Sequence, residues 1–367
     1  MKLINKIEGV KEIAAYNSHL NYIDDKNNFI LNDVILQEKY GFIGTFEYGY
    51  LKYGIGGKEQ AILYDLATKK EHLLPEKVGI NLIGEHFPES HAYTYSFFPR
   101  ENKTLYKHYT FSLKKNSLVK ELSIDEEYAF ISSYKGDTIF VKYSGRPISS
   151  VRFFKGPNYE LLWEHSFSSI EKLGDEVYVY YYIGAGNNVL IFSTNNGWLV
   201  GLDVTTGNEL WVLKGIPEAQ PEPNEKNKDF GFSDTSKIKL DDQRGVLYCF
   251  LWNIYWEWDI MTQQVVKLCH NFQKAQKEHY TYLGLNYFME GDTIYYADGG
   301  TLLEHEGRIN WPRLIAVNKI TGDIICQLEF KPKTKKEKEI LTWKDFQYSD
   351  NKFYLLDNNQ VLWIVEK

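Results

Sequence analysis

Three short segments bring together residue types that could do chemistry. Glu85-His86-Phe87-Pro88-Glu89-Ser90-His91 sets two imidazoles beside two carboxylates, the ligand types a divalent metal accepts. Their spacing follows no zinc pattern, so the stretch reads as a polar loop joining two elements. Glu304-His305-Glu306, just beyond Asp298-Gly299-Gly300, could offer an acid and a base; it reads as the tip of a hairpin. Gly184-Ala185-Gly186-Asn187-Asn188 has the glycine content of a phosphate-binding loop. No helical pattern follows it, and such loops bind anions through a helix N-terminus, so it reads as a turn. Cys249, Cys269 and Cys326 are widely spaced and form no paired metal motif; each reads as a small apolar residue inside a strand. No catalytic, cofactor or metal site is assigned from these residues.

The elements that would carry any site are marked by a repeat. AILYDLATKKEHL from Ala61, LVGLDVTTGNELW from Leu199, YWEWDIMTQQVVK from Tyr255 and LIAVNKITGDIIC from Leu314 share one pattern: an apolar run, Asp or Asn, two spacers, Thr, often Gly, and a second apolar run. Asp65, Asp203, Asp259 and Asn318 sit where a strand ends, so their side chains can accept from backbone N–H groups two or three residues on. Thr68, Thr206, Thr262 and Thr321 can add a hydroxyl. Gly207 and Gly322 supply the positive φ of a short loop with a bulge; Lys69 and Gln263 stand where glycine is missing, so those turns should be wider or strained.

Weaker copies run through Phe111-Ser112 and through Phe153 to Trp163. Marks at 65, 112, 155, 203, 259 and 318 are separated by about 43 to 59 residues, the length of a four-stranded propeller blade with its loops. A seventh mark at Val365 falls at the chain end, so the last blade needs an outer strand from elsewhere. Met1 to Ile7, with Leu3, Ile4 and Ile7 apolar, can provide it and close the ring. The expectation is an all-β, seven-bladed β-propeller of four-stranded antiparallel blades, residues 1–367 forming one domain, closed by the N-terminal strand. The counts of 28 Tyr, 21 Phe and 9 Trp suit half-buried pleated surfaces, and helix-period stretches are scarce.

The segment Asn188 to Trp211, with Asn195-Asn196-Gly197 and the Asp203, Thr206, Gly207 and Trp211 marks, resembles the repeat of quinoprotein-like β-propellers, the pyrroloquinoline quinone dehydrogenase type. Arg313 to Cys326 looks like a second copy. The resemblance implies propeller geometry more than chemistry. Family members that use the quinone carry adjacent cysteines, a carboxylate base and an export signal; this chain has no adjacent cysteines and no leader-like apolar run. A quinone cofactor is therefore not expected.

The formal net charge is -7, and the basic run Lys331 to Lys338 is broken by Pro332 and Glu337 and lacks interleaved aromatics, so nucleic acid is not the expected partner. No apolar run is long enough to span a membrane, and the expected location is the cytoplasm. Two segments exceed what a blade requires: Ile216 to Asp234, acidic and Pro-rich, and Asp298 to Pro312. Long connections in compact domains are functional or disordered. The first offers Glu218, Glu222, Glu225, Phe230 and Phe232 to a protein partner, the second Glu304, His305, Arg308 and Trp311. Trp252, Tyr255, Trp256 and Trp258 also cluster; alternation sends Trp256 and Trp258 to one face, for packing between blades, and Tyr255 and Glu257 to the other. The expected function is non-enzymatic protein binding, in concrete form a bacterial immunity protein that caps a basic toxin domain. An enzyme acting on a sugar or quinone-type ligand at the central channel, marked by a perturbed carboxylate or His cluster on the axis, is the alternative class. A scaffold in a larger complex, marked by a broad apolar patch, is the third.

Overall fold

The computed structural model describes residues 1–16, 19–31, 34–37, 42–46, 49–53, 62–65, 70–73, 80–87, 92–97, 105–112, 117–125, 128–143, 147–156, 159–171, 177–216, 219, 232, 235–251, 254–269, 287–298, 301–303, 308–330 and 342–367. Apart from the two-stranded pair Thr301–Leu303 and Arg308–Asn310, the described strands fall into eight antiparallel sets of four, numbered here in chain order. The first is Val10–Tyr16, His19–Asp24, Phe29–Leu31 and Val34–Gln37. The second is Phe42–Phe46, Gly49–Tyr53, Ile62–Asp65 and Lys70–Leu73. The third is Ile80–Phe87, Ala92–Phe97, Leu105–Ser112 and Ser117–Asp125. The fourth is Tyr128–Tyr134, Asp137–Tyr143, Ile148–Lys155 and Glu160–Ser166, and the fifth is Val179–Gly186, Val189–Thr194, Leu199–Asp203 and Glu209–Leu213. These two are joined by a single bridge, Ile148 to Val179. The sixth is Lys239–Asp241, Val246–Leu251, Ile254–Asp259 and Gln264–Cys269; the seventh is Tyr287–Glu290, Thr293–Asp298, Arg313–Asn318 and Ile324–Glu329. The eighth takes Trp343–Ser349, Lys352–Asp357 and Val361–Glu366 from the C-terminus and Lys2–Glu8 from the N-terminus.

Eight sets differ from the seven expected. The set missed is the first: after its third strand, Phe29–Leu31, the sequence carries Asn32 and Asp33 but neither the Thr nor the Gly of the repeat at its spacing, so the phase was not recognised there. In the second to seventh sets the phase mark ends the third strand, as the hairpin reading requires, and in the eighth Val365 stands one residue before that end. The N-terminal strand does complete the last sheet, pairing Leu3 with Val365 and Ile7 with Leu362. Leu3 and Ile4 are nevertheless 41% and 43% exposed, so their apolar character is not what secures the strand.

The turns follow the predicted chemistry closely. Asp203 Oδ1 accepts from the N–H of Thr205 at 2.8 Å and of Thr206 at 2.7 Å, and from the Thr206 hydroxyl. Asp259 serves Met261 and Thr262, and Asn318 serves Ile320 and Thr321, in the same way. Gly207 and Gly322 have φ of 73° and 75°. Gln263 adopts 57°, so that turn keeps its geometry under strain rather than widening; Lys69 lies outside the described residues. Gly207 is doubly constrained, because a Cβ there would stand 2.6 Å from the Trp163 ring, whose Nε1 donates to Val204 O at 2.7 Å. The outer strand of the fourth sheet is thereby latched to the turn of the fifth. Gly184 and Gly186 lie within a strand, and the turn proper is Asn187-Asn188, both with positive φ, as a two-residue hairpin demands.

A regular irregularity accompanies the repeat. In seven sheets the fourth strand carries one extra residue against the third, and that residue is Leu36, Val119, Leu162, Leu210, Val266, Ile325 or Ile4. Leu162, Leu210, Val266, Ile325 and Ile4 are all exposed. A bulge of this kind interrupts an outer edge that would otherwise be free to pair with another chain.

The core lies between successive sheets rather than within any one. Phe153, Phe167, Leu190 and Phe192 pack the fourth against the fifth. Trp211, Trp256 and Trp258 fill the space between the fifth and sixth, and Tyr255, Tyr287 and Ile315 that between the sixth and seventh. Trp256 and Tyr255 thus go to opposite faces, as alternation dictates. Phe346, Phe353 and Leu314 join the seventh and eighth. Val10, Tyr22, Tyr354 and Leu362 then join the eighth to the first, so the two ends of the chain meet in packing as well as in pairing. Cys249 and Cys269 are buried within strands, and Cys326 is half-buried.

Candidate interaction rim

Strand direction sorts the connections onto two rims. In an antiparallel set, the turns from first to second strand and from third to fourth leave one end. The connection from second to third, and the exit to the next sheet, leave the other. Hydrogen bonds tie each group together. Val204 N donates to Asn188 O, Ile260 N to Gly245 O and Lys319 N to Asp292 O, all on the first rim. Val10 N donates to Gln360 O, Phe232 N to Gly197 O and Asn358 N to Thr342 O, all on the second. On the first rim the connections between strands are tight, the longest being 204–208 and 319–323. On the second lie 214–238, 270–286, 299–312 and 330–342. The two segments singled out from the sequence therefore leave the same rim.

The ends of the 214–238 connection are firmly held. Ile216 is buried, and Ile238 N closes the helical turn Thr235–Lys237 on Thr235 O. Phe232 sets its ring 5.0 Å from Trp256, half-buried in the gap between the fifth and sixth sheets. One side of its ring therefore packs within the molecule. Glu218, Glu222, Glu225 and Phe230 lie outside the described residues. In the second segment, Thr301–Leu303 pairs with Arg308–Asn310, so Arg308 is strand, opposite Leu303. Trp311 is half-buried beside buried Pro312, and Glu304 and His305 lie outside the described residues.

At the base of this hairpin is a buried ion pair that the sequence reading missed. Asp298 and Arg313, 3% and 4% exposed, end and begin the strands flanking the insertion, with Arg313 Nη2 2.9 Å from Asp298 Oδ2. Arg313 Nη1 donates to Gln327 Oε1, and Trp343 Nε1 donates to Asp298 O, drawing in the eighth sheet. Asp298 Oδ1 and Arg313 Nε have no partner. Burial pushes the Asp298 carboxyl up to about 6, against the opposing pull of Arg313. A charged residue closing each of two apolar runs around an insertion was the signal available in the sequence.

A second buried network bridges the sixth and seventh sheets. Glu257, 5% exposed, accepts from Tyr255 Oη at 2.5 Å and Arg244 Nη1 at 2.9 Å, and lies 3.4 Å from Lys319 Nζ. Burial alone would raise its pKa; the two hydrogen bonds and the nearby cations outweigh this and hold it below the usual carboxylate range. The network satisfies charges at a seam between sheets.

The segments that looked chemical resolve differently from expectation. Glu85, His86 and Phe87 belong to a strand, with His86 opposite Tyr93, so the loop is confined to 88–91, outside the described residues. Glu306 lies outside them too. Among the described residues no group of three His, Cys, Asp or Glu side chains is placed to hold a metal, and no helix is long and apolar enough to cross a membrane.

This arrangement of stacked four-stranded sheets is a β-propeller. The fold is shared over nearly whole chains, at low identity, with the first two of the following solved structures. Sqt1 of Saccharomyces cerevisiae, a WD40 propeller, superposes with a TM-score of 0.57 at 12% identity, covering 100% of this chain and 99% of its own. The computationally designed Ika8 protein gives 0.54 at 10% identity, covering 98% and 96%. BamB from Moraxella catarrhalis gives 0.43 at 10%, covering 89% and 96%. No family model matches the chain, and no curated protein matches it.

Proposed function

We propose that the chain is a single-domain, closed, eight-bladed propeller that binds a protein partner through the rim carrying its long connections. One observation carries this reading: 214–238, 270–286, 299–312 and 330–342 all join strand ends on one rim, while the opposite rim is built of tight turns. Loops on a rigid scaffold are where recognition is placed. The pairing of Lys2–Glu8 with the C-terminal sheet and the packing of the first sheet on the eighth support closure. Glu218, Glu222 and Glu225 in the longest connection, with a net charge of -7, favour a basic partner. A basic toxin domain, neutralised in the cytoplasm of a bacterium by this chain as its immunity protein, is the concrete form we infer.

The test is capture of a partner from lysate of the native host, by the full chain and by a variant lacking residues 218–227. Capture by the first and its loss in the second, at unchanged melting temperature, is expected. Equal capture by both removes this connection from the interface.

A further inference from the structure

We propose that the channel at the centre of the propeller holds a binding site for an uncharged sugar, against the first strands of the fourth, fifth and sixth sheets. A cavity of about 560 Å³ is walled there by Ser132, Tyr134, Lys135, Tyr182 and Asp242, together with 183–185 and 238–240. All of these belong to the first strands of three successive sheets or to the residues just before or after them, and none to a second, third or fourth strand. A gap between two packed sheets would also meet their middle strands, so the cavity lies at the inner edges, on the channel. Its volume is that of a small-molecule site.

The edges and side chains of this cavity decide the class of molecule it takes. Among the described residues the first strand of each set pairs on one side only, the single bridge at Val179 apart, so the other edge presents backbone N–H and C=O groups that no strand pairs. An extended peptide would use such an edge by adding a strand. These edges are too irregular for that: Ile131 interrupts the first strand of the fourth sheet, Tyr180 and Ile183 that of the fifth, and that of the sixth is three residues long. The charges select no ion either. Lys135 and Asp242 attract one another, one ammonium against one carboxylate, and the Lys239 amine is turned away to the Tyr287 carbonyl on the seventh sheet. The hydroxyls of Ser132, Tyr134 and Tyr182, each both donor and acceptor in kind, match the hydroxyls of a sugar.

The same strand of the fifth sheet adds two rings beside the cavity. Tyr180 and Tyr181 are 53% and 49% exposed. Val179 and Tyr182 both pack toward the fourth sheet, so the bulge at Tyr180 turns both exposed tyrosines to the opposite face. Gly184 stands against Leu240, and the first strand of the sixth sheet begins only at Lys239, so the level of Tyr180 and Tyr181 falls before that strand starts and no strand covers them. A ring with an apolar face and a wet hydroxyl is a surface on which the C–H face of a pyranose packs while its own hydroxyls stay hydrogen-bonded. The site does not depend on the partner proposed for the rim.

The experiment is saturation-transfer NMR on the full chain with glucose, galactose, mannose, N-acetylglucosamine, cellobiose and lactose, and with inorganic phosphate and trialanine as an anion and a peptide. We expect at least one of the sugars to bind saturably with a Kd below about 10 mM, and more tightly than phosphate or trialanine. Tyr180→Ala combined with Tyr181→Ala should weaken that sugar at least about fivefold at an unchanged melting temperature, since neither side chain is buried. Tyr180→Phe combined with Tyr181→Phe, which keeps both rings, should hold the affinity within about twofold. Asp242→Ala should weaken it at least about threefold. No saturable binding of any of the six sugars overturns the proposal, as does preference for phosphate or trialanine. Native affinity in the double Ala variant or in Asp242→Ala, or equal losses in the double Ala and double Phe variants, would also overturn it.

Discussion

On one rim the chain turns at 135–136, 187–188 and 350–351 with residues of positive φ, and the third strands of the fifth, sixth and seventh sheets end in a side chain that caps its own turn. On the other rim it takes 214–238 or 270–286 to make a step that 126–127 makes elsewhere. Both rims belong to the same rigid strands. The difference teaches that the tight rim is constrained by folding: its residues are fixed by backbone geometry and by contacts between sheets, such as Trp163 on Gly207. Among the described residues the loose rim is held at Ile216, Phe232, Asp298, Arg313 and Phe330, and the segments between them are where we propose recognition.

The comparison can be broken most forcefully on the tight rim. Gly207→Val forces a β-branched residue to positive φ and drives a methyl group into the Trp163 ring, so it should cost about 3 kcal/mol or more in chemical denaturation. Gly322→Val carries the φ penalty and should cost about 1–3 kcal/mol. Gln263→Val should cost less than either, since that position already bears a side chain at 57°. Equal losses at all three would dissolve the register that defines this rim.

The anchor of the loose rim has a pH signature. Asp298 is raised above its free value, so its contribution to stability is fully present below about pH 4 and is lost as pH rises through about 6. Glu257 runs the other way, its contribution being present above its free value and lost as pH falls through its depressed one. The stability of the native chain minus that of Asp298→Asn should therefore fall by up to about 3 kcal/mol between those limits, measured by denaturation at each pH. A constant difference would place the ionised pair at no cost and remove the strain assigned to this anchor.

How far these features were legible depends on how local their causes are. The Asp203, Asp259 and Asn318 turns were readable because a side chain and the backbone it caps are neighbours in sequence. The strand Lys2–Glu8 was readable because a phase mark at Val365 left a place to fill. The first sheet was not, since Asn32 and Asp33 after Phe29–Leu31 are not followed by the Thr and Gly of the repeat. The bulged residues Leu162, Leu210, Val266 and Ile325 depend on register across two strands, and Asp298 with Arg313 on a meeting across an insertion. Neither spacing is fixed by the local sequence. The residues expected to touch a partner were chosen because their segments exceed what a blade requires, and the contact of Phe232 with Trp256 was not legible because it joins positions far apart in sequence.

Smaller effects sharpen the same contrast. Gln263→Gly should relieve the strained turn and stabilise by about 1 kcal/mol in thermal melts. Val266→Lys with Ile325→Lys, on exposed bulges, should shift stability by less than about 0.5 kcal/mol, because neither side chain is packed; a loss beyond that would reveal a contact at the outer edge.

The most direct measurement is hydrogen exchange of the full chain, free and with its captured partner. The account predicts added protection in 214–238, 270–286, 299–312 and 330–342 and none in the turns 187–188, 204–208, 260–263 and 319–323. Protection concentrated on those turns, with the long connections unchanged, would contradict it.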